Sequence, residues 1–318
     1  MSLSARHPSV RRRAGAIAVV LACSLTLIAC SDDDTVPTSS GSGEGSATGE
    51  PTPAPEPSAS AEQPATDPSA SASATEAAGT VVPIYLAGDG PRGPALFREF
   101  QRVSGDPLTE AARIVAGGGE PGDPDYRTLW PQVEIASVTP TDGVLLVTIP
   151  SDGFTQRPDG MSRRAARLAL QQLVYTLQGV QQERIPVVIE RPDTEPSLFG
   201  LSTETGFEAA SPLETLNLVN ITSPAEGDTV TGDVLTVSGV ANSFEASGPC
   251  RLLQDGGEIA LEGYQSEGWM ENRLFPFEVD LPLNGVTGEV VVQCETDDPS
   301  GGAEGNGPAI DTKTITVE

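Results

Sequence analysis

The chain has 318 residues, with 18 basic against 45 acidic side chains and a formal net charge of -27. That balance excludes the clustered basic surface that nucleic-acid binding requires. The one histidine, His7, stands before the first apolar run, so the remainder of the chain has none for a Ser-His-Asp, Cys-His or His-ligated zinc site.

Arg11, Arg12 and Arg13 precede an apolar run over residues 14–29, the layout of a secretory signal. The run falls short of the roughly 20 residues that a membrane-spanning helix needs. It closes on Leu27-Ile28-Ala29-Cys30, which resembles a bacterial lipobox. That resemblance implies a signal peptide over 1–29, acylation of Cys30, and a protein anchored by lipid at the extracytoplasmic face of the cell membrane. Asp32, Asp33 and Asp34 follow directly, so anionic lipid gives the anchor no electrostatic help. Two acyl chains suffice where a single one would bind marginally.

Residues 30–79 are rich in Ser, Ala, Thr, Pro, Gly and Glu, with almost no large apolar side chain and no Lys or Arg. Such a segment cannot bury enough surface to offset chain entropy, and a disordered linker is expected. Its reach lies between about 40 Å as a coil and about 150 Å as polyproline helix.

An α+β domain is expected over residues 80–207. Residues 81–86 form a β-branched run ended by a Gly88-Asp89-Gly90-Pro91 turn, with 95–103 as its partner strand. A short helix follows, capped by Asp106, with Pro107 at its first position and Leu108, Ala111, Ala112 and Val115 on one stripe. Gly117 and Gly119 lie at its end. Residues 133–138 and 144–149 read as a hairpin about Thr141-Asp142-Gly143. The best-defined element is a helix over 162–178, carrying Ala166, Ala169, Leu170, Leu173, Val174 and Leu177 at helical spacing before a Gly179 stop. Arg163, Arg164 and Arg167 cluster where the helix dipole disfavours cations. They form either a solvated face or a small anion-facing patch. Tyr175 and Leu168 lie opposite the stripe, where they either pack under a loop or contact a partner, the loop being the better reading. A strand over 185–189 completes the unit.

Pro83-Ile84-Tyr85-Leu86, the short helix with its glycines, Val144-Leu145-Leu146-Val147-Thr148-Ile149 with Phe154, and above all Gln172-Leu173-Val174-Tyr175-Thr176-Leu177 resemble the GerMN domain of sporulation and germination proteins and of actinobacterial lipoproteins. The resemblance brings no catalytic residues and no cofactor. It departs from the usual pattern after Ile189, where Glu190-Arg191-Pro192-Asp193 replaces a short glycine turn.

Residues 213–318 read as all β, with strands over 216–221, 235–240, 250–254, 258–261, 275–281, 289–295 and 312–317. Ile221-Thr222-Ser223-Pro224, the run from Leu235 to Ala241 with Phe244-Glu245-Ala246, and Phe275-Pro276-Phe277 resemble the immunoglobulin-like domain that accompanies GerMN. The expected fold is therefore an α+β GerMN-like domain followed by an all-β immunoglobulin-like sandwich. Cys250 and Cys294 are the pair left free, and in an extracytoplasmic domain a disulfide is their obvious use. A redox pair would want the closer CxxC-type spacing. The stretch Asp297, Asp298, Ser300, Glu304, Asn306 lacks the regular ligand spacing of a calcium loop and reads as a solvated acidic turn.

No catalytic residue or metal site is expected. Three functions remain: a non-catalytic protein that binds or scaffolds an envelope protein or cell-wall component at a set distance from the membrane, a carboxylate-based peptidoglycan hydrolase, and an accessory to an envelope sensor kinase.

Overall fold

In the computed structural model the described residues are 79–192, 196–298 and 305–318. The signal, Cys30 and the linker up to residue 78 lie outside them, as do Ser300 and Glu304 of the acidic stretch considered for calcium. The described residues all fall in one unit, Ala72–Glu318.

β1 (Thr80–Gly90) and β2 (Gly93–Val103) form one long antiparallel hairpin. β1 runs four residues past the expected end, through the glycine cluster, and Gly90 pairs with Gly93. Gly88 therefore makes no turn. A Cβ there would stand 2.6 Å from the Phe97 ring and 3.3 Å from that of Tyr126, so this glycine admits two aromatic rings to the strand. α1 (Pro107–Arg113) starts as expected, with the Asp106 side chain accepting from Thr109 N at 2.9 Å, and unwinds through a π-turn (Ile114–Gly118) that breaks at Gly117 with φ 94.

β3 (Ser137–Thr141) and β4 (Val144–Thr148) close over Asp142 and Gly143, both at positive φ, as a two-residue hairpin turn demands. Residues 133–136 are not part of the strand, although Val133 and Ile135 are buried. β5 (Val187–Glu190) joins β4 in parallel.

α2 (Arg163–Gln181) is capped by the Ser162 side chain on Ala165 N. It passes Gly179 and stops at Gln182, which takes the left-handed conformation. Gly179 is a contact point: its missing Cβ would lie 3.0 Å from Pro83 Cγ, where the helix crosses β1. After β5 the chain turns back through β6 (Ser197–Leu198) and β7 (Leu201–Ser202), burying Phe199 edge-on against Trp130 with centroids 5.0 Å apart. One core extends from Val82 to Phe199.

A short helical turn, α3 (Pro212–Thr215), leads into the sandwich. Its strands are β8 (Val219–Ser223), β9 (Thr229–Val230), β10 (Val234–Ala241), β11 (Ser247–Gln254), β12 (Gly257–Ser266), β13 (Phe275–Pro282), β14 (Gly288–Glu295) and β15 (Ile310–Val317). Their order is β8-β10-β13-β12-β11-β14-β15-β9. β12 outruns its expected four residues because residues 257–265 pair with β11, and Gln265 and Ser266 at its end pair with β13 on the other side. β9, which periodicity does not reveal in two residues, carries the chain to the far edge beside β15. Residues 216–218 are not strand. Leu216 is bridged instead to Leu96 of β2, and Asn217 N donates to Leu96 O at 2.8 Å.

Cys250 and Cys294 stand directly opposite on β11 and β14 and are disulfide-bonded, both fully buried. The bond closes a loop of sequence separation 44, a constraint worth about 2–4 kcal/mol in the unfolded chain. Reductant is expected to lower the unfolding free energy by that amount, read by denaturant titration of the folded protein. Intact mass two protons light before reduction checks the bond itself, and two alkylatable thiols in unreduced protein would disprove it.

Candidate functional site

The most heavily buried titratable cluster lies where the sandwich meets the α+β domain. Between α1 and β3 runs Asp123-Pro124-Asp125-Tyr126, a turn-forming sequence in which an aspartate folds its side chain onto the backbone two residues on. The Asp123 side chain duly accepts from Asp125 N at 2.8 Å, and Tyr126 N donates to Asp123 O at 3.1 Å. This leaves Asp123 Oδ2 and the Tyr126 phenol facing β15. From β15 come Asp311 and Lys313, in phase with Ile315 and Val317 on the strand's inward face.

Lys313 Nζ donates to Asp123 Oδ2 at 2.5 Å and to the Tyr126 hydroxyl at 2.6 Å, and stands 3.5 Å from Asp311 Oδ1. The Tyr126 hydroxyl donates in turn to Asp311 Oδ1 at 2.6 Å. Asp311 Oδ2 accepts from Ile221 N at 2.6 Å, which ties in β8. None of the four residues is more than 5% exposed. The cluster holds one cation against two carboxylates. Burial pushes the Asp311 carboxyl up, against the opposing pull of Lys313, the Tyr126 hydroxyl and Ile221 N. Burial, reinforced by Asp311, also pushes the Tyr126 phenol up. Nearby, Glu226 accepts from Thr314 N at 2.7 Å, and its carboxyl too is raised by burial. The cluster is closed to solvent and saturated by its own hydrogen bonds, so what it does chemically is join two domains.

An apolar seam of Ala87, Leu96, Tyr175 and Leu216 extends the joint, with Tyr85, Leu168 and Leu274 packed against it. Two clefts open beside the seam. One, of about 280 Å³, is lined by Arg92, Arg164, Glu214 and Asp297 among others. The other, of about 310 Å³, lies between the C-terminal end of α2 and the sandwich.

Tyr175, expected to face either a loop or a partner, is under the loop. Its hydroxyl donates to Ala210 O at 2.6 Å, its ring lies 5.3 Å from that of Tyr85, and it is 6% exposed. The three arginines of α2 do not converge: Arg164 donates to Arg92 O at 3.1 Å at the edge of the smaller cleft, while Arg163 and Arg167 are exposed along the helix. Among the described residues, no group of three His, Cys, Asp or Glu is placed to hold a metal ion. The sequence reading missed Asp311 and Lys313. A signal for them was present, because Lys313 is the chain's single lysine and both residues alternate in register with the inward-facing Ile315 and Val317.

A family model of the immunoglobulin-like domain of bacterial spore germination, Gmad2, matches residues 218–303. No curated protein matches the chain. Among solved structures, the tandem GerMN domains of the sporulation protein GerM from Bacillus subtilis align over 64% of this chain and 61% of that one, at 13% identity and a TM-score of 0.32. An engineered protein aligns over 36% of this chain and 22% of that one, at 17% identity and a TM-score of 0.26. The chain thus spans less than two thirds of the length of either structure. Superpositions that partial carry no argument, and the fold rests on the strand order and the Gmad2 match.

Two measurements test the cluster. Lys313→Met leaves two buried carboxylates without their cation and is expected to cost about 3–5 kcal/mol of stability. In the native protein amine reagents should leave Lys313 unmodified until the chain is denatured; rapid labelling of the folded chain would contradict its burial. Alkaline titration gives the second. Burial also lifts Tyr175 and Tyr264 to about 12 from the ordinary 10. A phenol raised in the fold contributes stability that is complete below its unfolded pKa and is lost as pH climbs toward the folded value. Stability should therefore fall above pH 10, with phenolate absorbance from these tyrosines appearing together with unfolding.

Proposed function

We propose that the chain is a non-catalytic binding or scaffolding protein of the cell envelope, anchored through a lipid on Cys30 and carrying its two domains beyond a spacer over residues 31–79. The observation that carries this reading is the joint. Its carboxylates, the most deeply buried in the described residues, are engaged in fixing one domain on the other and are closed to any substrate. The Gmad2 match over residues 218–303 supports a role of the germination-associated binding kind. The resemblance of residues 80–207 to GerMN points the same way. On this reading the partner is an envelope protein or a cell-wall component, recognised at a height set by the spacer.

The test separates anchor, spacer and head. Cys30→Ala is expected to release the protein from the membrane or to leave its signal uncleaved. Deleting residues 40–78 should leave both domains folded, with the melting temperature unchanged. The same deletion should abolish cross-linking to cell-wall-associated material in intact envelopes, because a tether too short to span a gap contributes no effective concentration. Undiminished cross-linking by the deleted form would overturn the spacer reading. Peptidoglycan cleavage lost on replacing one exposed carboxylate, with the fold retained, would replace the binding reading by an enzymatic one.

A further inference from the structure

The larger cleft at the joint inverts the charge of the molecule. In a chain with 18 basic and 45 acidic residues, its walls carry Arg98, Arg184 and Arg273 against Glu183 alone. The three arginines come from β2, from the turn after α2, and from the loop before β13. They lie more than eighty residues apart in sequence and in two domains, so only the joint brings them to one cavity.

Their own contacts do not account for them. Arg98 is half-buried. Its Nη2 donates to Thr222 Oγ1 at 2.9 Å and its guanidinium lies 5.0 Å from the Phe100 centroid, but its Nε is buried without a hydrogen-bond partner, and among the described residues no carboxylate lies within ion-pair distance. An unpartnered buried donor on a cation is a costly feature to retain. Arg184 is exposed at the mouth and likewise has no ion pair among the described residues. Arg273 is held in place: its guanidinium stacks 4.3 Å from the Phe275 centroid, and its Nε bonds Glu271 at 2.9 Å on the exposed rim. Such an exposed pair is screened and weak. Against three guanidinium charges stand Glu183 and the C-terminal end of α2, whose dipole amounts to about half a negative charge. The rest of the wall sets an apolar side of Tyr85, Leu216, Val240 and Leu274 beside the amides of Gln178 and Gln182.

We infer that this cleft binds a small amphiphilic anion, a carboxylate or phosphate group borne on an apolar body. The guanidinium fork matches both oxyanions in plane and in donor spacing. The tyrosine and aliphatic wall accepts the body. The site stands independently of the anchor and the spacer, because it needs only the two joined domains.

Calorimetric titration of the full-length chain tests it with benzoate and phenyl phosphate as probes and benzyl alcohol as the uncharged control. Saturable binding of at least one anion, weakened by salt and absent for the alcohol, is expected, and the tighter probe identifies the headgroup. Arg98→Gln and Arg184→Gln should each weaken it by about tenfold or more, the loss of one charge-assisted hydrogen bond. Arg163→Gln, on the exposed face of α2, should leave it unchanged. Arg184 is exposed and its replacement does not threaten the fold, so this variant decides the matter even if Arg98→Gln destabilises the joint. No saturable heat with either anion, or equal affinity in Arg184→Gln, would overturn the inference.

Discussion

Everything on the two-domain surface depends on one buried ammonium. Lys313 reaches out of the sandwich to an aspartate and a tyrosine of the other domain while its neighbour Asp311 accepts a hydrogen bond from the same tyrosine's hydroxyl. Taking those groups out of water is expensive, and only a complete set of partners compensates for it. A displaced joint would strand at least one charge. The cluster therefore adds little to stability when seated and penalises misplacement, a division of labour in which the apolar seam of Leu96, Tyr175 and Leu216 supplies attraction and the charges supply register.

That register reaches into the loops. Asp123 presents Oδ2 because its other oxygen already holds the turn on Asp125 N. Tyr126 is admitted because residue 88 is glycine, and its ring stacks on Phe97 with centroids 4.9 Å apart. On the opposite side Asp311 Oδ2 fixes the middle of β8 through Ile221 N, and Asn217 N meets β2 at Leu96 O. The bond from Asn217 N to Leu96 O crosses the joint, while the Asp123 turn and the Asp311–Ile221 bond each lie within one domain and hold that domain's side of the cluster in place.

The sequence pattern made local elements legible and left the joint illegible, for a physical reason. The α2 stripe from Ala166 to Leu177, the Asp106 cap, the Asp142-Gly143 turn, seven of the eight sandwich strands and the Cys250–Cys294 bond all follow from periodicity, turn chemistry or pairing. Gly88 and Gly179 misled, because a glycine that admits a neighbouring side chain has the same letter as one that ends an element. Leu216 fits a strand's apolar alternation yet belongs to the seam, since which surface covers an apolar residue is settled by tertiary structure. Arg163, Arg164 and Arg167 drew notice because they are close in sequence, while the cations that converge, Arg98, Arg184 and Arg273, are far apart in it.

The distribution of positive charge then makes sense as a consequence of the joint. A strongly acidic chain repels itself, and scattered exposed arginines relieve that at little cost. The lysine is used differently: it is compact, has three donors and is directed at three oxygens in the interior, where the planar guanidinium of arginine would not fit the same tetrahedral arrangement. Fixing the two domains with that one lysine is what sets β2, the end of α2 and the loop before β13 around a common space. Of the arginines there only Arg98 crosses the joint itself, its N bonding Asn220 Oδ1 and its Nη2 Thr222 Oγ1, so the geometry of the cleft is set by the buried pair together with one of its own walls.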